Sequence, residues 1–326
     1  MRNPIVLQPV YQTRVWGWRT LATLYGRDLP GDDSMAIGES WDVVDRPEAQ
    51  SVVRGGLYDG LSLGDLWKQH RVEIFGEAAP ESKRFPLLCK ILDARTNLSI
   101  QVHPPAALAQ ELGGEPKSEF WYAAQADPGA LWFAGLKPDV TRENFIGGVE
   151  RGTTPDCVRQ LPVSEGDCLW VPSGRVHALG GGQMIFEIQE NSDTTYRVYD
   201  WKRSEADRPK RELHIDKALK CIDFDDEGCG KSRLAPGERV DGPGFQIQKI
   251  CLEKGQAIRM PVGFFVMALV SGKIACGDQS FTAGDYFMLP ANESEGMVMR
   301  SVVEDTEQVS SLLCVTWPLK LAEDKL

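Results

Sequence analysis

A chain of 326 residues, 42% hydrophobic and 25% charged, suffices for one large or two ordinary globular domains and carries no signature of disorder. Its net charge of −11 argues against a nucleic-acid partner, which draws on a basic face, but not against a small anionic ligand held by a few local cations. No apolar run approaches the roughly 20 residues that span a bilayer, so no membrane association is expected. The opening Met1-Arg2-Asn3-Pro4-Ile5-Val6 lacks the apolar core of a signal peptide. None of the eight cysteines forms a Cys-x-x-Cys pair. Cys89, Cys168, Cys251 and Cys314 lie in apolar runs, where a thiol acts as a small hydrophobe. A reducing, cytoplasmic location is the expectation.

Along the chain, short strand-like runs parted by Gly, Pro and Asp turns dominate. Leu61 to Phe75 is the first exception. Its Leu63, Leu66, Trp67 and Ile74 fall at helical spacing and predict an amphipathic helix. The run Phe85-Pro86-Leu87-Leu88-Cys89-Lys90-Ile91-Leu92-Asp93-Ala94 then reads as an apolar strand with one lysine. Such a lysine commonly extends to solvent.

Leu98-Ser99-Ile100-Gln101-Val102-His103-Pro104 is a second strand. Side chains alternate between faces, so Ser99, Gln101 and His103 share one side. Burying a hydroxyl, an amide and an imidazole in a row opposes stability unless each is paired, which points to a site. Lys117-Ser118-Glu119-Phe120-Trp121-Tyr122 leads into an aromatic strand. Thr141 to Val149 predicts a helix with Thr141 as N-cap and Glu143 in its first turn. A turn at Glu165-Gly166-Asp167 opens Cys168-Leu169-Trp170-Val171. Pro172-Ser173-Gly174 stops that strand, and His177 begins another. Met184 to Glu190 follows, then the polar turn Asn191-Ser192-Asp193-Thr194-Thr195 before Tyr196-Arg197-Val198-Tyr199. A third short helix is expected from about Asp216 to Ile222.

Two imidazoles (His103, His177), a carboxylate (Glu119) and an amide oxygen (Gln101) form an N/O donor set for a divalent metal, open to water or substrate. Taken singly, each fits a hydrogen-bonded structural role. Gln101 is the weakest donor and fits equally well the holding of a metal-bound water. His70, at a helix end, and His214, near a helix start, read as structural. Asp193 suits an Asx turn as well as an acid.

The second half echoes the first. Ala283-Gly284-Asp285-Tyr286-Phe287-Met288-Leu289-Pro290 repeats the form of Glu165 to Pro172, and Met267 to Ile274 reads as a strand and turn upstream of it. Asn292 and Glu293 stand where a histidine would follow. The boundary is placed in the Gly- and Pro-containing stretch from Gly228 to Gly244.

Gly166, Pro172, Gly174 and His177 have the spacing of the second cupin motif. The Phe85-to-Ala94 strand, Gln101-Val102-His103-Pro104, Lys117-Ser118-Glu119, the Pro172-to-His177 turn and Ser192-Asp193-Thr194-Thr195-Tyr196-Arg197-Val198 occur in this order in type I mannose-6-phosphate isomerases. The chain resembles their short bacterial form, from Trp16-Gly17 through Gly38-Glu39-Ser40-Trp41 to Arg211-Glu212-Leu213-His214. The resemblance implies a mainly β protein of two cupin-type β-barrel (jelly-roll) domains with helical decorations. These are a metal-binding domain at 1–235 and a degenerate, metal-free one at 236–326. It implies one zinc ion per chain, with other divalent metals possible, on His103, Glu119, His177 and Gln101. Arg197, Lys117 and Asp193 would be catalytic, and Lys90, Ser99, Lys117 and Arg197 would bind a sugar phosphate. Interconversion of mannose 6-phosphate and fructose 6-phosphate by a monomer or homodimer is the implied activity. Pro105-Ala106-Ala107 and Pro116 depart from the usual pattern, near the mouth of the site. A non-catalytic sugar-phosphate-binding cupin and a metal-dependent cupin oxidoreductase remain as alternatives, since fold alone does not separate them.

Overall fold

The structure is a computed structural model in which residues 3–201, 211–226, 230–292 and 296–317 are described. It divides into two compact units, Tyr11–Ser40 with Leu88–Arg233, and Met1–Val10 with Trp41–Leu87 and Leu234–Leu326. Residues 41–87, grouped with the first domain on sequence, sit in the unit that carries the C-terminal strands. The protein is mainly β, as expected, and its sheets pair antiparallel. No helix among the described residues is long and apolar enough to cross a membrane.

The first unit holds two sheets. One runs in the order Val158–Pro162, Leu131–Leu136, His177–Leu179, Ile100–Val102, Tyr196–Tyr199. The other runs Cys168–Val171, Glu119–Ala126, Gln183–Glu190, Leu87–Ala94, Ile37–Val43, Val10–Trp18. Strand alternation gives each sheet two faces. Ile100, Val102, Phe133, Ala178, Tyr196 and Val198 face outward and pack with Phe145, Ala218 and Cys221 of two helices. Leu92, Ala94, Trp121, Ala123, Trp132, Ala134, Leu179 and Ile185, drawn from both sheets, form the core between them.

The same alternation assigns Lys90, Gln101, Glu119, His177, Glu187 and Arg197 to the inner faces, one end of which is therefore polar. Thr141 caps the helix Arg142–Arg151 by accepting the Asn144 N–H (3.2 Å), as predicted. The third predicted helix spans Ile215–Cys221.

In the second unit, a five-stranded sheet runs Arg239–Asp241, Gln246–Leu252, Ser310–Thr316, Phe265–Ser271, Tyr286–Leu289. A four-stranded sheet runs Ala257–Arg259, Val298–Ser301, Lys273–Cys276, Gln279–Thr282. Tyr286–Leu289, the echoing strand, pairs with Phe265–Ser271, and the chain turns at Gly272 into the other sheet. This core is apolar throughout, with Phe281 and Phe287 stacked at 3.9 Å. The predicted helix 61–75 begins after Ser62, which forms a capping box with Asp65. It breaks at His70 and continues as a wider turn, Arg71–Phe75. The carbonyls of Glu73 and Ile74 accept the N–H groups of Asn292 and Ala291 (3.2 and 2.7 Å), so they do not extend the helix.

Candidate metal centre and active-site cleft

Register carries the site residues into one place. His177 lies directly opposite Gln101, and Gln101 directly opposite Arg197, so three adjacent strands present an imidazole, an amide and a guanidinium in a row. On the facing sheet, Glu119 and Trp121 share a face two residues apart, and Glu187 lies opposite Trp121. His103 follows its strand directly, where Pro104 stops the ladder.

His103, Glu119 and His177 form a cluster whose ligand atoms all lie within 4.8 Å of one another. Each is only 1% exposed. His103 Nε2 is 3.2 Å from Glu119 Oε1, and His177 Nε2 is 3.7 Å from Glu119 Oε2. The other ring nitrogens are committed. His103 Nδ1 donates to the Thr194 carbonyl (2.7 Å) and His177 Nδ1 to the Arg175 carbonyl (2.9 Å). This leaves Nε2 of each neutral ring as a lone pair. His103 Nε2 is accordingly a buried acceptor without a hydrogen-bond partner among the described residues, facing a carboxylate oxygen. Two acceptors at that distance need a proton or a metal ion between them, burial opposes the proton on His103, and an N₂O donor set suits zinc, manganese, iron or cobalt. The residues fit a divalent ion.

Gln101 turns its amide nitrogen to His177 Nε2 (3.3 Å) and its oxygen to the Ser99 hydroxyl (3.3 Å). A half-turn of the amide exchanges the two.

Beside the cluster is a cleft of about 420 Å³ whose lining includes Lys90, Ser99, Gln101, Lys117, Asp193 and Arg197, so it collects every other sequence-predicted site residue. Lys117 Nζ sits 2.6 Å from Glu119 Oε1. Arg197 Nε donates to Ser99 Oγ (3.1 Å) and Nη1 to the Glu212 carbonyl (2.9 Å). His214 holds the Arg197 backbone from both sides, accepting its N–H and donating to its carbonyl. Asp193 is exposed on the lining.

Four further residues escaped the sequence reading. Glu187 lies 3.1 Å and Glu39 3.7 Å from Lys90 Nζ, and Arg14 and Arg211 extend the lining. Glu187 did carry a signal, a lone charge at an inner position of the apolar run Met184 to Ile188. Five cations and three carboxylates line the cleft, and Lys117 and Arg211 pair with two further carboxylates beside it, Glu119 and Asp200.

Burial pulls Lys90 down, but the Glu187 and Glu39 carboxylates outweigh it and hold the ammonium above its usual range. Burial likewise pushes Glu119 up, and the Lys117 charge, then His103, overcome it, leaving Glu119 well below the carboxylate range. Burial and the Glu119 charge raise Glu187. Burial, with Lys117, pushes His103 down to about 3, and burial lowers His177 too.

A free histidine titrates near 6.5, so below that pH the unfolded chain takes up protons that folded His103 refuses. Metal-free protein is therefore expected to melt at constant temperature above about pH 6.5 and progressively lower as pH falls toward 4. His103→Gln flattens that slope. A midpoint unchanged between pH 7 and 5, in thermal melts after chelation, contradicts the buried neutral imidazole.

A double-sheet β fold with two histidines and a glutamate gathered at one end of its inter-sheet space is a cupin with a metal-type donor set. The family model for the catalytic domain of type I phosphomannose isomerase matches residues 5–134. Mannose-6-phosphate isomerase ManA of Bacillus subtilis is 34% identical over 303 residues, covering 88% of this chain and 93% of that protein. The mannose-6-phosphate isomerase of Streptococcus mutans is also 34% identical, over 89% and 93% of the two chains. The crystal structure of the mannose 6-phosphate isomerase from Bacillus subtilis superposes with a TM-score of 0.79 at 28% identity, over 96% of this chain and 99% of that one. A mannose 6-phosphate isomerase structure bound with zinc and yttrium has a TM-score of 0.72 over 97% of this chain, and at 16% identity attests the fold alone. The chain belongs to the type I phosphomannose isomerase family.

Proposed function

We propose that the protein interconverts mannose 6-phosphate and fructose 6-phosphate through an enediol(ate). One zinc ion would be held by His103, Glu119 and His177, with Gln101 as fourth donor after its amide turns. The observation that carries this reading is the buried His–Glu–His cluster adjoining a cleft lined by Lys90, Lys117, Arg197 and Arg211.

The reaction moves a proton between C1 and C2 while negative charge builds on O1 and O2. A divalent ion held by His103, Glu119 and His177 would supply Lewis-acid polarisation of the sugar oxygens. Arg197, on the same sheet face as Gln101 and His177, places its guanidinium beside them and stabilises the developing oxyanion. Lys117, paired with Glu119, suits donation to a sugar oxygen, while the Asp193 carboxylate on the lining suits acceptance of the carbon-bound proton.

Lys90 is boxed between Glu187 and Glu39, which repel a phosphate dianion, so its N–H groups suit a neutral sugar hydroxyl. The phosphate would then sit beside Arg211, whose guanidinium Asp200 holds through Nε and Nη2, leaving Arg197 to the reacting end of the sugar. Ser99 accepts from Arg197 Nε, and after the Gln101 amide turns it would accept from that amide as well, so it would hold both side chains.

A coupled fructose 6-phosphate assay tests the proposal. Activity is expected to vanish on chelation and to return with zinc, while add-back of manganese, cobalt or iron(II) identifies the preferred ion. No turnover of either sugar phosphate with any of these ions would refute it, and oxygen-dependent turnover would move the protein to the cupin oxidoreductases.

A further inference from the structure

Trp121 touches three parts of the site at once. It is fully buried, and its single indole N–H lies 3.0 Å from Glu119 Oε2 and 3.2 Å from Glu187 Oε2. Its ring meets His177 edge-on at 5.5 Å. Glu187 in turn holds Lys90, 3.1 Å away. The sheet dictates this arrangement: Glu119 and Trp121 share a face by the two-residue period, and Glu187 is the register partner of Trp121. Two carboxylates thus approach each other in a dry interior with one N–H shared between them. Such a donor is needed where buried acceptors would otherwise repel, and partners of this kind orient a metal's ligands.

We propose that Trp121 is a positioning residue for the metal centre: its indole N–H bridges Glu119 and Glu187, setting the orientation of the Glu119 carboxylate and linking it to the Lys90 ion pair. Packing alone would not need the nitrogen. A phenyl ring fills most of the same space, and the neighbouring Trp132 shows the contrast. Trp132 is equally buried and lies edge-on to Trp121 at 5.8 Å, yet its indole nitrogen has no hydrogen-bond partner among the described residues. Trp132→Phe therefore matches Trp121→Phe in lost volume while removing no bridge.

The inference rests on the proposed metal centre, so zinc affinity is measured by chelator competition for wild type, Trp121→Phe and Trp132→Phe, with thermal melts alongside. The expected result is a zinc dissociation constant raised about 10- to 100-fold in Trp121→Phe and unchanged in Trp132→Phe, the range typical of lost ligand-orienting hydrogen bonds. Equal affinities in wild type and Trp121→Phe overturn the bridge. Wild type that binds neither zinc nor manganese, cobalt or iron(II) removes the metal reading itself, a distinguishable failure. Should Trp121→Phe not fold, ¹⁵N-indole spectra of the wild-type protein decide. At least one indole N–H is expected to shift between metal-free and zinc-loaded forms, and indoles that all stay in place overturn the proposal.

Discussion

Arg197→Ala is expected to lower kcat by about 10²- to 10³-fold while zinc content stays at the wild-type level, the effect of deleting one donor aimed at developing oxyanion charge. That corresponds to roughly 3–4 kcal/mol of transition-state stabilisation. The geometry separates the two readouts. Arg197 is not among the clustered ligand atoms, and Gln101 stands between it and His177 in the strand row. Its side chain is steered by neutral acceptors, Ser99 Oγ at 3.1 Å and the Glu212 carbonyl at 2.9 Å. Its backbone is pinned by His214. Removing the guanidinium would thus leave the proposed metal ligands in place and take away the charge proposed to lie next to O1 and O2. Because the contact strengthens as charge develops, kcat falls more than KM rises. Arg197→Lys retains charge without the planar fork and is expected to fall between the two. Rates measured at saturating zinc, with metal analysis on the same samples, check this. Near-normal turnover by Arg197→Ala removes the residue from the chemistry.

Much of this site could be read from alternation alone. Ser99, Gln101 and His103 stood out because a two-residue period put three polar groups on one face, and the turn from Pro172 to His177 placed a second imidazole where a strand begins. These are local signals, complete within about ten residues. What stayed hidden depends on register between distant segments. Lys90 looked like a cation open to substrate, whereas two carboxylates from other strands hold it. The Trp121–Glu187 contact spans 66 positions in sequence, and neither residue's neighbours announce the other. The stop of the helical segment after Phe75 was equally hidden, because the Glu73 and Ile74 carbonyls accept from a backbone segment near residue 291. Grouping residues 41–87 with the first half assumed that a unit follows chain order, and Trp67, Phe75 and Phe85 instead pack with Phe264 and Trp317.

Glu119→Ala is expected to change two properties at once. Zinc affinity should fall by well over about a hundredfold, more than for loss of an orienting partner, because the cluster's one anionic ligand is gone. Stability of the metal-free protein should fall too. Lys117 Nζ, 2.6 Å from Glu119 and 4% exposed, would be left as a buried ammonium, a defect that costs about 3–5 kcal/mol. The Trp121 indole would lose one of its two acceptors in the same substitution.

The two losses have different origins and can be parted. In the double variant Glu119→Ala/Lys117→Met the unpaired charge is absent, so much of the stability should return while zinc binding should not. Chemical denaturation of the four metal-free proteins, read as a double-mutant cycle, gives the coupling, and chelator competition gives the affinity. Zinc bound by Glu119→Ala as tightly as by wild type would remove Glu119 from the ligand set. Stability equal in Glu119→Ala and wild type would show that the buried pair contributes nothing that Lys117 does not find elsewhere.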